Sequence, residues 1–301
     1  MNIGDKVVRK SYDKDIIFKI IDIEVDSNGN KKYLLKGLNI RIEADSVEDD
    51  LELSDDGEKD KIFNKKVNTT LKKVLLTRSG SAATFRYPDI DGVRKDKKIL
   101  GVKKNELVFG RPGKILHIDG DPSYLEICLK TYKQLNIDAV GRVIDEREQP
   151  LKILDLVKEI NPDIVVITGH DGMMKNASDY MDLNNYRNSK YFVECVSLLR
   201  SYKSNYDDLV IFAGACQSNY EALLDAGANF ASSPNRVLIH CLDPVFICEK
   251  VAYTNINEIV NIEDAIENTI TGIKGVGGLQ TRGKYREGYP KSQYYNNGIE
   301  V

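Results

Sequence analysis

The spacing of apolar residues changes partway along the chain, near Arg111-Pro112-Gly113. Before that point, short β-branched and aromatic runs are separated by turns, a pattern typical of antiparallel strands. After it, unbroken apolar runs alternate with segments whose apolar residues recur at helical spacing. Strands and helices that alternate with short connections predict a parallel, doubly wound sheet with helices on both faces. We therefore expect a small β domain followed by an α/β domain.

Residues 1–53 are predicted to form a small β-barrel domain of the SH3 or Tudor-like kind. Such a module can bind a peptide or another domain, or it can be a folded spacer, and the sequence leaves both readings open. Residues 54–110 are crowded first with acids and then with basic residues, which predicts a charged connector with partial structure. The strands expected in the barrel are Lys6–Lys10, Asp15–Ile23, Lys32–Lys36 and Ile40–Ala44.

The α/β domain is assigned to residues 111–280, and residues 281–301 to a basic, tyrosine-rich tail. The predicted strands are Lys114–Asp119, Ala139–Val143, Asp163–Thr168, Leu209–Ala213, Arg236–His240 and Phe246–Tyr253. Helical spacing predicts buried faces that contain Leu125, Cys128, Leu129, Tyr132 and Leu135, then Leu151, Leu154, Val157 and Ile160, then Phe192, Cys195 and Leu199. A last helix is expected over 262–273. The glycine-rich segment 272–278 is predicted to be a flexible loop or tail, because its spacing fits no phosphate-binding motif.

Composition narrows the classes of function that the chain can have. The 301 residues leave room for about two domains, and 42% apolar with 30% charged residues is ordinary for a globular protein. A net charge of −3 provides no basic field for nucleic acid, and no apolar run reaches the length of a membrane-spanning helix. Met1–Lys6 is not followed by an apolar segment, so we expect no secretory signal and a cytoplasmic location. The oligomeric state is left open.

Cysteine and histidine usage restricts the chemistry further. Five cysteines are present with no CxxC pair, which argues against both a disulfide framework and a zinc cluster. We expect free thiols, no metal and no cofactor. Only three histidines occur, so a mechanism that needs a base at neutral pH has few candidates. His117 and His240 lie within apolar runs and are predicted to be core residues, as are Cys128 and Cys195 on helix faces.

His170 and Cys216 differ from these residues because each follows the end of a predicted strand. Thr168-Gly169-His170 and Gly214-Ala215-Cys216 come after consecutive apolar runs, and ligands of open α/β sheets bind at the carboxyl ends of the strands. A thiol beside an imidazole is the minimum set for nucleophilic cysteine chemistry. The polar residues after Cys216 predict an exposed thiol, whose pKa the following helix would lower. The spacing is similar to the roughly 50 residues that separate histidine from cysteine in caspases.

Several motifs carry a resemblance to known peptidases. The two strand ends are similar to those of the caspase-like cysteine peptidases, which include caspases, clostripain and gingipains. Three segments, 166–172, 212–219 and 227–234, more closely resemble the sporulation-specific peptidase YabG family. The opening Ile3–Tyr12 and the glycine-rich ending also resemble that family, so the likeness covers nearly the whole chain.

The resemblance implies an endopeptidase that processes spore coat and related proteins during sporulation and cleaves after arginine. It implies protein substrates, with a location in the sporulating cell and an association with the spore coat. Cys216 would be the nucleophile and His170 the general acid or base. The clan usually has glycine directly after the histidine, whereas this chain has Asp171 before Gly172, so either could supply the oxyanion-binding N–H beside that of Cys216. The sequence does not select the acid of an arginine pocket, for which Asp171, Asp179, Asp182 and Asp243 are candidates.

A second reading comes from a different class of protein. Ile115–Asp121 followed by an amphipathic helix resembles a response-regulator receiver domain, although Thr168 stands where the phosphoacceptor aspartate is expected. A degenerate receiver-like, non-catalytic protein-binding module is therefore the alternative. The peptidase reading also predicts self-cleavage in the connector, after Arg78, Arg86 or Arg94.

Overall fold

The computed structural model describes residues 1–25, 27, 29–54, 59–82, 108–175 and 177–291. Five antiparallel strands form an amino-terminal sheet in the order β4-β3-β2-β1-β5. They are β1 (Lys6–Arg9), β2 (Ile17–Val25), β3 (Lys31–Gly37), β4 (Glu43–Val47) and β5 (Leu51–Leu53). The small core of this sheet consists of Val7, Phe18, Ile20, Tyr33, Leu35 and Leu51.

The strand predicted at Ile40–Ala44 is displaced toward the carboxyl terminus. β4 begins at Glu43, and residues 38–42, the 38–42 loop, connect it to β3. The sequence Ile40-Arg41-Ile42 alternates like a strand, but its polar groups bind outside the sheet: the Tyr124 hydroxyl lies 2.7 Å from the carbonyl oxygen of Ile40. Contacts with the second domain therefore override the local strand propensity.

Helix α1 (Lys59–Ala82) lies within the predicted connector and packs on the α/β domain. Its Val74 joins the apolar cluster on one face of the second sheet. Arg78 Nη1 donates to the carbonyl oxygen of Leu135 at 3.0 Å, and Arg78 Nε lies 3.2 Å from Glu249 Oε1. The Lys66 ammonium group donates to the carbonyl oxygen of Ile270. The segment is thus a packed element of the fold in its described part.

A six-stranded sheet forms the centre of the second domain, in the order β12-β11-β10-β9-β7-β8. Neighbouring strands are parallel except for β12, which is antiparallel to β11. The strands are β7 (Ile115–Asp119), β8 (Ala139–Val143), β9 (Ile164–Thr168), β10 (Val210–Ala213), β11 (Phe230–Ser232) and β12 (Val276–Gly278). This confirms the predicted α/β class and the mostly parallel sheet.

Helices cover both faces of this sheet. The helices are α2 (Pro122–Gln134), α3 (Gln149–Ile160), α4 (Ser189–Tyr202), α5 (Tyr220–Asp225), α6 (Asp243–Tyr253) and α7 (Ile262–Glu267). Residues of α1, α2, α6 and α7 share one apolar cluster, and residues of α3, α4 and α5 share the other. On α3 the predicted face is wrong at Leu151, which is 78% exposed, because Ile153 turns toward the sheet instead, whereas Val157 is buried as predicted.

The last third of the domain differs from the prediction. The fifth strand is β11 rather than Arg236–His240, and the predicted strand Phe246–Tyr253 is helix α6. Because α6 is buried on nearly all sides, it lacks the polar stripe that would distinguish a helix from a strand. The glycine-rich segment contains edge strand β12 rather than a flexible loop, and α7 ends at Glu267.

The described part of the predicted tail also contains regular structure. β13 (Arg286–Gly288) pairs with β6 (Phe109–Arg111) in a two-stranded ribbon. The Lys284 side chain is buried, and its ammonium group donates to the carbonyl oxygen of Asp207. Within the described ranges, no helix combines the length and apolar character that crossing a bilayer requires.

Candidate active site

The carboxyl ends of β9 and β10 place His170 and Cys216 at the same edge of the sheet. The two strands are parallel neighbours, with Ile167 opposite Ala213. Gly214 lets the chain leave β10 sharply: its φ is +104°, and a Cβ atom there would lie 2.8 Å from Leu223 Cδ1. The predicted proximity of these two strand ends is therefore present in the fold.

The Cys216 thiol is enclosed rather than exposed. Its residue is 1% exposed, and Sγ accepts a hydrogen bond from Ile239 N at 3.2 Å. Burial raises the pKa of the thiol to about 11, although the backbone N–H of Ile239 and both the charge and the backbone N–H of Arg41 oppose that shift. The expected lowering of the pKa by a following helix is wrong, because burial dominates and α5 begins only at Tyr220.

The His170 ring is oriented by Asp121, the acid that precedes α2. Nε2 of His170 lies 2.8 Å from Asp121 Oδ2, while Asp121 Oδ1 accepts from Ser123 N and caps α2. No hydrogen bond joins His170 Nδ1 to another described residue. A carboxylate at Nε2 favours a proton there, which leaves the lone pair on Nδ1 of a neutral ring.

Glu146 fixes the backbone of His170 from the other side. Its Oε1 accepts from His170 N at 2.6 Å. The carboxylate passes so close to Gly120 and Gly169 that a Cβ atom on either would lie 2.2 Å from Oε1. Burial raises the pKa of Glu146, and the hydrogen bond from His170 N opposes the shift. The two glycines are needed because this side chain fills the space between strand ends.

The backbone N–H groups of Asp171 and Cys216 have no hydrogen-bond partner among the described residues. The neighbouring groups are engaged: Gly172 N donates to Asp171 Oδ1 at 2.9 Å, and Ala215 N donates to Ser218 Oγ at 2.8 Å. Of the two groups that the sequence left open for binding an oxyanion, only the N–H of Asp171 is thus available in this structure.

The four predicted pocket acids fall into two groups. Asp171 accepts from Gly172 N, Asn188 N, Ser189 Oγ and Ser218 Oγ. Asp243 accepts from Ile270 N, His240 N, and both Thr271 N and Oγ1. Four donors occupy about all the lone-pair sites of a carboxylate. Asp179 and Asp182 are exposed and accept from the nearby backbone groups Met181 N and Asn184 N.

The remaining histidines and cysteines are buried, which confirms the core prediction made for His117, His240, Cys128 and Cys195. His117 is buried, with Nε2 2.9 Å from Thr168 Oγ1, and burial lowers its pKa. Burial also lowers the pKa of His240 to about 3. Cys128, Cys195, Cys241 and Cys248 are buried free thiols. Across the part of the chain that the structure describes, no group of three or more His, Cys, Asp or Glu residues is placed to hold a metal ion.

A buried ion pair beside the site was not predicted. Arg41 of the 38–42 loop has its Nη1 atom 2.5 Å from Asp119 Oδ2, and both side chains are fully buried. Burial alone would raise the pKa of Asp119, but the Arg41 charge and a hydrogen bond with His117 lower it to about 2. The sequence feature that could have indicated this acidic site is Asp119-Gly120-Asp121 at the end of β7, because β7 adjoins β9 at the switch point of the sheet, where ligands bind.

Comparison with known proteins identifies the family. No solved structure matches the chain. The chain is 42% identical over 298 residues to the sporulation-specific protease YabG of Bacillus subtilis (strain 168), covering 96% of this chain and 97% of that protein. The profile of a peptidase family described as YabG peptidase U57 matches residues 2–290. A match over nearly the full length, on a fold that places His170 and Cys216 at adjacent strand ends, shows that the chain belongs to the YabG peptidase U57 family.

Proposed function

We propose that this chain is a cysteine endopeptidase that processes spore coat and related proteins in the sporulating cell and cleaves after arginine. Cys216 is the nucleophile and His170 the general acid and base. Family membership and the name of the Bacillus subtilis relative support proteolysis during sporulation. The observation that carries the mechanism is the position of His170 and Cys216 after neighbouring parallel strands.

Proton transfer begins at the Cys216 thiol. Nδ1 of His170 takes the Sγ proton, and the thiolate attacks the scissile carbonyl carbon. The imidazolium then returns the proton to the leaving amine, and the acyl group stays on Sγ until water hydrolyses the thioester with His170 as base. Asp121 is the positioning residue, because its bond at Nε2 keeps the reacting lone pair on Nδ1. In the structure the Cys216 thiol is hydrogen-bonded to Ile239 instead, so the Cys216 side chain must rotate when substrate binds.

The N–H groups of Cys216 and Asp171 are the proposed oxyanion donors. Both lack a partner within the described ranges, whereas Gly172 N is held by Asp171 Oδ1. Donors aimed at the developing charge of an acyl-transfer transition state contribute about 100-fold to 1000-fold each to turnover. The presence of Asp171 between His170 and Gly172 is thus compatible with the mechanism of the caspase-like peptidases.

The proposal includes the finer fold assignment. The strand order of the larger sheet and the places of His170 and Cys216 support a caspase-like peptidase domain. The five-stranded antiparallel sheet supports an SH3-like or Tudor-like module before it.

Cysteine substitution tests the catalytic type. Cys216→Ala is expected to abolish cleavage of an arginine-containing protein substrate, followed by mass spectrometry of the products. Cys195→Ala is the matched control, because Cys195 is equally buried but lies on α4, within the apolar cluster. Undiminished cleavage by Cys216→Ala would refute the assignment.

A second substitution separates the peptidase from a receiver-like binding module. His170→Ala is expected to remove turnover while leaving the fold intact, since the His170 side chain is partly exposed and lies outside both apolar clusters. If neither wild type nor variants cleave, yet the chain captures a partner, the binding module is favoured. Products that end at residues other than arginine would overturn the specificity but not the catalytic type.

A further inference from the structure

The 38–42 loop reaches from the amino-terminal sheet to the carboxyl ends of the central strands. Cys241 N donates to the carbonyl oxygen of Asn39 at 2.9 Å, and Ile40 pairs with His240 in an antiparallel bridge. The adjacent Ile239 holds the Cys216 thiol. An extended peptide that pairs with a free backbone edge is a common mode of peptide recognition. Residues 239–241 thus bind the loop as they would an extended peptide.

Arg41 fills a closed acidic pocket beside the nucleophile. Its residue is 1% exposed, its Nη1 lies 2.5 Å from Asp119 Oδ2, and its guanidinium carbon lies 5.1 Å from the centre of the Tyr124 ring. The charge and the backbone N–H of Arg41 both lower the pKa of the Cys216 thiol. One residue of the loop therefore places a guanidinium group in the pocket and acts electrostatically on Sγ.

Two charged residues that flank the loop engage the histidine and its acid. Lys36 Nζ lies 2.5 Å from Asp121 Oδ2, the oxygen that holds His170. Glu43 Oε1 lies 3.9 Å from His170 Nε2. The end of β3 and the loop therefore each place a positive charge against an aspartate, and the start of β4 places a carboxylate near the His170 ring. Such complementary charges are typical of a bound partner rather than of a neutral spacer.

The contacts of the Arg41 side chain are also those expected of a group that can leave its pocket. No nitrogen of its guanidinium group has a hydrogen bond of good geometry among the described residues. Replacing a buried ion pair by apolar residues often leaves stability unchanged or improves it, so fold stability alone does not explain a fully buried arginine here.

We propose that the 38–42 loop occupies the substrate site of its own chain, with Arg41 in the arginine pocket and Asp119 as the acid that recognises an arginine side chain. This inference rests on the proposed function, and it assigns the pocket acid that the function requires. The amino-terminal sheet then holds the site closed, and the arginine of a protein substrate must replace Arg41 before Cys216 can react.

Alkylation of cysteines tests this occupancy without any need for proteolysis. The full chain is treated with iodoacetamide at fixed pH, and labelling of each cysteine is followed by peptide mass spectrometry. Arg41→Ala should raise labelling of Cys216 about 10-fold, the effect of about one unit of pKa, because it opens to solvent a thiol that is 1% exposed and whose pKa burial raises. Loss of the Arg41 charge, which lowers that pKa, limits the gain. Arg9→Ala, which removes an ion pair with Asp50 elsewhere in the same sheet, is the control and should change nothing.

A second variant guards against loss of the fold. Lys36→Ala removes one of the flanking charges and should raise Cys216 labelling by a smaller factor, with the other four cysteines unchanged. If Arg41→Ala labels all five cysteines equally, the variant has unfolded and Lys36→Ala decides. The proposal would be overturned if neither variant showed selective labelling of Cys216.

A small ligand tests the role of Asp119. N-acetyl-arginine amide should protect Cys216 from alkylation in Arg41→Ala but not in wild type, and the uncharged N-acetyl-citrulline amide should not protect. Adding Asp119→Asn to Arg41→Ala should remove the protection. Equal protection by both amides, or protection that survives Asp119→Asn, would refute the assignment. Because labelling needs no peptide hydrolysis, these results are independent of whether the chain cleaves protein.

Discussion

Asp121→Asn separates the two tasks of the Asp121 carboxylate. The Oδ1 atom accepts from Ser123 N at 2.8 Å and caps α2, while Oδ2 holds His170 Nε2 at 2.8 Å. Asparagine is as good a helix cap as aspartate, so the helix keeps its start. The amide nitrogen that replaces Oδ2 is a donor, and it meets a ring nitrogen that must then accept. The histidine proton therefore moves to Nδ1, the nitrogen that the proposed mechanism needs as base.

The expected losses can be estimated from these contacts. General acid–base catalysis contributes about 10²-fold to 10⁴-fold, so turnover should fall by that factor, equivalent to about 3–5 kcal/mol of activation free energy. The free energy of unfolding should fall by about 1–1.5 kcal/mol, the difference between a charge-assisted and a neutral hydrogen bond. Asp145→Asn is a matched control on the same rim, because the Asp145 side chain is exposed and, among the described residues, accepts only from Arg147 N within its own turn.

Turnover of an arginine substrate gives the first measurement, and nitrogen-15 spectra of the three histidine rings give the second. Wild type should show His170 with its proton on Nε2 and the variant with its proton on Nδ1. A purely structural role would leave the tautomer unchanged. The reasoning is refuted if Asp121→Asn keeps more than about half of the wild-type turnover, or if it loses turnover with the wild-type tautomer.

Three further predictions concern stability. Burial raises the pKa of Glu249 to about 7 from 4.5 despite nearby Arg78, so the stability that this residue contributes is complete below pH 4.5 and falls by about 3 kcal/mol as the pH rises through 7. In urea titrations at pH 5 and pH 8, Glu249→Gln should show a smaller loss of unfolding free energy between the two pH values than wild type, and an equal loss would contradict the prediction. Ile153→Ala should lower the free energy of unfolding by about 2–5 kcal/mol, whereas Leu151→Ala, on the exposed face of the same helix, should lower it by less than about 0.5 kcal/mol. Similar losses in the two variants would contradict the observed buried face of α3. Gly214→Ala should lower the free energy of unfolding by more than about 1 kcal/mol, because the positive φ of Gly214 strains any residue with a Cβ atom. An unchanged melting temperature would contradict this prediction.

The central strand pair could be predicted because its signal is local and strong. Ile164–Thr168 and Val210–Ala213 are buried along their whole length, as expected for parallel strands covered on both faces. Chain order and the rule that ligands bind at carboxyl ends then place His170 and Cys216 together. Helix α6 was missed because its apolar residues surround the axis, although Asp243-Pro244 is a helix-start signal. Edge strand β12 was missed because two of its three residues are glycine, and pairing with β11 and burial of Val276 stabilise it.

The closed state of the site could not be predicted, because it depends on residues far apart in the chain. Gln217 and Ser218 predict an exposed Cys216, but their polar groups bind inside the protein: Gln217 N donates to Ser233 Oγ, and Ser218 Oγ donates to Asp171 Oδ2. The thiol is instead covered by residues around Ile239 and Arg41. Nothing in the local sequence of the 38–42 loop distinguishes a buried arginine from an exposed one.

The anchoring of α1 has a consequence for any break in the backbone between the two domains. A cut after Arg86 or Arg94, both outside the described residues, would leave α1 attached through the ion pair of Arg78 with Glu249 and through Val74 in the apolar cluster. The two fragments would migrate together in size-exclusion chromatography and separate only on a denaturing gel. Arg78 itself lies in a helix, so its peptide bond must unwind before it can be cut. A nicked chain would therefore be distinguishable from an activated one, since nicking alone leaves the 38–42 loop in place.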